Sequence, residues 1–253
     1  MSLLALCKRG FWAGIGAGVL WGILFLFITS PLIWEAELYE DGHSHSHGAV
    51  TIHSRSASET DINKNFIHQF VPTVLGCALL GSGFGILSAL FLGILSLVRG
   101  DSGDIRPDFS FKSVLLFGFL GFAVFHGIPA LGTPPELPGN AGAEETFSAR
   151  RFWWSGSVLC SLLGIFVTSF LVSKVGTVFW KRLPAFAAGI LIASFPFFLG
   201  IPAQSHDSTA PLKLETRFLY SSLAVNAAFW FGLSAFFLFR KTDKGTSWRF
   251  VKS

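Results

Sequence analysis

Six long apolar stretches run along the chain, divided by short polar segments. They cover Phe11–Ile33, Phe70–Val98, Ser113–Leu131, Phe152–Ser173, Leu183–Ile201 and Phe218–Phe239. Each is 19 residues or longer. At helical rise that length crosses the ~30 Å hydrocarbon core of a bilayer. The pattern predicts an all-α membrane protein with about six transmembrane helices, forming one polytopic domain over residues 1–253. The fifth stretch is the weakest, with Pro184 and Pro196 near its ends. A membrane helix tolerates proline because neighbouring groups satisfy the freed carbonyl. The first stretch begins after Lys8-Arg9, as a signal peptide would. Its apolar part is longer than a secretory core, however, and Ser30-Pro31-Leu32-Ile33-Trp34 offers no small-x-small cleavage site. It reads as a retained helix.

Composition agrees: 51% of residues are hydrophobic and 13% charged. A soluble domain carries about 25% charged residues. The net charge of +4 carries information through its placement. With the N-terminus inside, thirteen of the 19 Lys and Arg residues fall on the inner side. They are Lys8 and Arg9, three between Arg99 and Lys112, three between Lys174 and Arg182, and five from Arg240 onward. The positive-inside rule then puts both termini in the cytoplasm. Eleven of the 15 acidic residues fall on the opposite side, which makes that surface attractive to cations. No basic stripe or nucleic-acid-binding motif is present, so nucleic acid is not an expected partner.

Gly10, Gly14, Gly18 and Gly22 recur every four residues on one face of the first helix. Such a ridge lets another backbone approach closely, within the bundle or in a homo-oligomer. The tetrapeptide Gly-Ile-Pro-Ala occurs at 127–130 and again at 200–203. Each copy closes an odd-numbered stretch, and the first stretch ends in a looser version, Ser30-Pro31. The chain is thus readable as three helical hairpins in parallel, an arrangement known among transporters. Cys7, Cys77 and Cys160 are odd in number and widely spaced, which excludes a disulfide framework.

The strongest polar feature is the loop over residues 35–69, extracytoplasmic in this topology. It contains Glu35, Glu37, Glu40 and Asp41, and then His43, His45 and His47 alternating with serine. Neutral imidazole suits divalent first-row metals, and a Gly/Ser backbone lets rings converge on one ion. The competing reading is a solvated polar loop. The second feature is His126, about a turn from the outer end of the third stretch. An ionisable side chain at that depth is costly and points to function. The breaker-rich segment after it, with Pro129, Gly132, Pro134, Pro135, Pro138 and Gly139, is expected to fold back and hold Glu136 near His126, while Gly127 and Pro129 are candidates for a pathway or a helix interface. The alternative is a His126 hydrogen-bonded to a neighbouring helix. Asn226 in the last stretch is expected to bond across a helix interface or to line a pathway. Arg150-Arg151 ahead of Phe152-Trp153-Trp154 reads as an interfacial anchor, with Glu144 and Glu145 as candidate partners. No P-loop and no His-Glu-x-x-His motif is present, and no catalytic residues stand out, so an enzyme is not expected.

Four segments together resemble the CbtA family of proposed cobalt transporter subunits. They are Pro31–Glu40 with its following histidines, Gly121–His126 through Pro134–Gly139, Ala149–Trp154, and Ser222–Trp230. The resemblance extends along nearly the whole chain. It implies a multi-pass protein of the bacterial inner membrane serving cobalt supply for cobalamin synthesis. It also implies CbtB, a small single-span protein, as partner. Family descriptions give about five spans, against the six read here. The expectation is therefore a divalent-metal transport subunit with no tightly bound cofactor. Its ion would be Co²⁺, with Ni²⁺ or Zn²⁺ sharing the same ligand preferences. His43, His45, His47, Glu35, Glu37, His126 and Glu136 are its candidate ligands. The other function class is a non-transporting accessory or sensor protein serving a separate permease.

Overall fold

The computed structural model describes residues 2–41, 59–99, 110–137, 144–175, 178–202 and 210–238. Among these residues all regular structure is helical. The helices are α1 (Leu3–Leu24), α2 (Ser30–Asp41), α3 (Glu59–Arg99), α4 (Phe111–Phe122), α5 (Ile128–Ala130), α6 (Glu144–Lys174), α7 (Phe179–Phe198) and α8 (Leu212–Leu238). A five-residue π turn, Phe25–Thr29, joins α1 to α2, and another, Ala123–Gly127, joins α4 to α5. Six helical segments are long and apolar enough to cross a membrane. They correspond one for one to the six apolar stretches, the fifth being Phe179–Phe198.

Both π turns have a local cause. Pro31 and Pro129 lie four residues after Phe27 and Phe125 and bring no N–H to the helical ladder. The helix answers by widening one turn. The Ser30 N–H reaches back to the Phe25 carbonyl, and the Ile128 N–H to the Ala123 carbonyl, each five residues away. The repeated tetrapeptide does not fold alike in its two copies. Gly127 continues its helix, whereas Gly200 ends α7 with φ at +95°, a conformation that favours glycine.

The glycine ridge of α1 lies against α3. A Cβ on Gly10 would run into the carbonyl of Gly85, and one on Gly14 into that of Gly81. Gly18 faces Cys77 and Ala78 in the same way, and Gly22 faces Val74. The ridge is therefore occupied within the chain. Next to this pair, α8 packs along both α1 and α4. Its Phe229, Trp230, Leu233 and Phe237 form the buried core with Leu6, Ala13 and Ala17. Ser234 Oγ donates to the Val114 carbonyl at 2.6 Å, tying α8 to α4.

α7 lies along α6 rather than along α8. Gly164 and Gly189 meet there, and Thr168 Oγ1 donates to the Ala185 carbonyl at 3.2 Å. α1 thus pairs with α3 and α7 with α6, and in both pairs small residues meet across the interface. The α6–α7 pair touches the other helices through α3, the second π turn and α5. An apolar cleft of about 730 Å³ lies among α3, α4, α6 and α8.

Candidate metal route at the mouth of the bundle

Beyond α5 the chain folds back over the end of the bundle. Thr133 N–H and Thr133 Oγ1 both donate to the Pro129 carbonyl, at 2.8 and 3.1 Å, which makes a tight turn. Gly132 passes beneath the Trp153 indole, where a Cβ has no room. Leu137 then drops into a cluster with Leu32 and Ala36 of α2 and Leu214 and Phe218 of α8. The proline-rich segment is held at both ends by packing rather than by regular structure.

Glu136 lies between those two anchors. Arg150 Nη1 of α6 donates to its Oε2 at 2.6 Å. The side chains are only 14% and 19% exposed, so water does little to screen the pair. The bond forms one wall of a groove of about 520 Å³, lined by Thr133–Leu137 on one side and by Phe147, Arg150, Arg151, Trp154 and Ser155 on the other. Arg151 lies over the Phe147 ring, 5.6 Å from its centroid. Trp153 Nε1 donates to the Pro196 carbonyl at 3.2 Å, fastening α6 to α7 just below.

The remaining candidates are spread around this mouth. Glu35 approaches Arg217 at 3.9 Å, with both side chains about half exposed, so their attraction is weak. Glu37 is exposed on α2. His126 belongs to the second π turn, where its ring stacks on Phe122 at 6.3 Å and 22°. Pro129 is fully buried and Gly127 partly so. Asn226 is half-buried on α8. His43, His45 and His47 lie outside the described residues. Among the described residues no three His, Cys, Asp or Glu side chains converge on one point. Glu136 is turned toward Arg150, a partner that reading the sequence assigned to Glu144 and Glu145, whose side chains lie outside the description. Fourteen residues separate Glu136 from Arg150, and no periodic spacing announces such a contact.

The sequence reading also missed the π turns. Their signal is a proline four residues after a phenylalanine inside an apolar stretch, at Phe27–Pro31 and again at Phe125–Pro129. π turns inside α-helices are frequently found at functional sites. The second of these carries His126.

Residues 4–240 match a family model described as probable cobalt transporter subunit (CbtA). No curated protein and no solved structure matches the chain.

Proposed function

The chain belongs to the CbtA family of probable cobalt transporter subunits, and from that premise we propose that it carries Co²⁺ across the bacterial inner membrane into the cell. The histidine loop, with His43, His45 and His47, collects the ion on the outer side, where Glu35 and Glu37 raise its local concentration. Glu136 and His126 form the entrance. Gly127, Pro129 and Asn226 border the route inward. Both termini are cytoplasmic in this reading, and Ni²⁺ and Zn²⁺ compete through the same ligand chemistry. The word subunit calls for a partner, and a small single-span CbtB-like protein is the one proposed. A second copy of the chain would have to use a surface other than the Gly10–Gly22 ridge, which α3 fills.

The observation that carries the entrance is Glu136, a mostly buried carboxylate on the wall of a groove at the mouth. It already binds a cation, the guanidinium of Arg150. An arriving metal ion must displace that guanidinium, so the carboxylate is neutralised in both states. The membrane potential supplies the drive, roughly 2.3 kcal/mol per charge per 100 mV. The test is uptake of radiolabelled cobalt in cells lacking other importers, with and without the partner. Uptake that falls to background in Glu136→Gln and His126→Ala supports the reading. Normal uptake by both variants removes the entrance, and no uptake by the intact protein with its partner removes transport.

A further inference from the structure

The two π turns stand at nearly the same level of α8, on either side of it. Three contacts set the register of the first. Trp21 packs on Phe229 with ring centroids 5.0 Å apart. Leu20 touches Gly232, and Leu32 and Ala36 share a cluster with Leu214 and Phe218. The chains run antiparallel, which places Thr29 opposite Ser221. For the second turn, Gly121 lies under Trp230, and Phe125 stacks on Trp230 at 5.0 Å and 17°. That register places His126 opposite Val225. The two positions differ by one turn of α8, about 5 Å.

Asn226 lies between them. It sits three residues from Phe229 and four from Trp230, and so continues the buried face of α8. Phe229 meets α1 and Trp230 meets the helix that carries His126. At about 100° per residue, the direction of Asn226 bisects these two. Thr29 is 1% exposed, and its Oγ1 has no hydrogen-bond partner among the described residues. Besides its own two continuations, the first π turn packs against α8. His126 shares a face with Phe122, which packs against the core cluster around Trp230. A hydroxyl oxygen, an amide oxygen and an imidazole nitrogen are thus brought to one layer, beside two widened turns.

We propose that Thr29, Asn226 and His126 form an internal site for a divalent first-row cation, one layer below the mouth. This rests on the transport reading and adds to it a place where the ion exchanges water for protein ligands. Mixed oxygen and nitrogen ligands suit such an ion. The site pairs the two odd-numbered helices around α8, and only one of them carries the histidine.

The experiment combines uptake with binding. In radiolabelled cobalt uptake, Thr29→Val and Asn226→Leu should each lower the initial rate at least ten-fold. Thr29→Ser, which keeps the hydroxyl, should restore most of it. If Thr29→Val and Asn226→Leu transport like the parent, the site is overturned. If Thr29→Ser fails as Thr29→Val does, the hydroxyl is no ligand and the site is again overturned. Should the parent show no uptake, Co²⁺ absorption spectroscopy decides separately, on purified protein with His43, His45 and His47 replaced by serine. Bound Co²⁺ that disappears in Thr29→Val and Asn226→Leu but persists in Asn226→Asp supports the site without transport. Absence of bound Co²⁺ in that parent, or its persistence in both variants, rejects it.

Discussion

Glu136 accepts a 2.6 Å hydrogen bond from Arg150, joining the fold-back segment to α6 across the mouth of the bundle. The pair is mostly buried, so removing one member strands the other charge. Arg150→Ala should destabilise the protein by about 2 kcal/mol, since the residual exposure tempers the full cost of a buried orphan. Arg150→Ala with Glu136→Ala should cost less than the two single changes added together. Unfolding in detergent, followed as a double-mutant cycle, measures the coupling. Strict additivity would mean that the two side chains act independently.

The same pair predicts an effect on affinity. With Arg150→Gln, the ion no longer competes with a tethered guanidinium for Glu136. Cobalt binding to protein whose loop histidines are replaced by serine should tighten by about ten-fold, which is about 1.4 kcal/mol. Isothermal titration reads it directly. Weaker binding would show that Arg150 assists the ion rather than competing with it.

The ridge between α1 and α3 gives a prediction with its own control. Gly14→Ala places a methyl against the Gly81 carbonyl and the Ser82 Cα. Backbone cannot yield as a side-chain tip does, and overpacking of this kind costs about 1–3 kcal/mol. Gly83→Ala on α3 meets nothing within 4 Å. It should leave stability unchanged or raise it slightly, because alanine favours helix. Comparing the two variants in resistance to unfolding by SDS separates packing from propensity.

Trp153 joins α6 to α7 through one hydrogen bond, to the Pro196 carbonyl, and through an edge-on contact with Phe197 at 5.2 Å. Trp153→Phe keeps an aromatic ring but loses the donor. The loss should be about 1 kcal/mol in thermal unfolding. Gly132→Ala, which drives a methyl into the same indole, should cost more.

Replacing His43, His45 and His47 with serine tests the collecting role of the loop. The cobalt concentration giving half-maximal uptake should rise several-fold, with little change in the rate at saturation. A fall in the saturating rate alone would place these histidines on the route itself.

Hydropathy made the six helices legible because each must hide its backbone polar groups from lipid over a full crossing. The glycine spacing was legible for a similar reason: four-residue intervals on a helix admit one face only. The neighbour relations were not. The pairing of α7 with α6 depends on Gly164 meeting Gly189 and on Thr168 reaching the Ala185 carbonyl, which are matches between surfaces far apart in sequence. At the candidate site, His126 stood out as a costly group near a helix end and Glu136 as its expected companion on the fold-back segment. What they touch did not, since Glu136 turns to an arginine in the next helix and His126 stacks on its own Phe122. Thr29 was hidden altogether, because threonine in an apolar stretch looks ordinary until Pro31 widens the turn that precedes it.

Four glycines of α1 leave no side chain between its backbone and that of α3. Sliding one helix along the other would push carbonyl oxygens through Cα atoms, and tilting would open a gap that lipid cannot follow. The two helices therefore behave mechanically as one stiff strut. α6 and α7, fastened to each other, meet the rest of the bundle at α3, the second π turn and α5, beside the apolar cleft. Among the described residues, α6 and α7 are thus the pair least tied to the rest of the bundle.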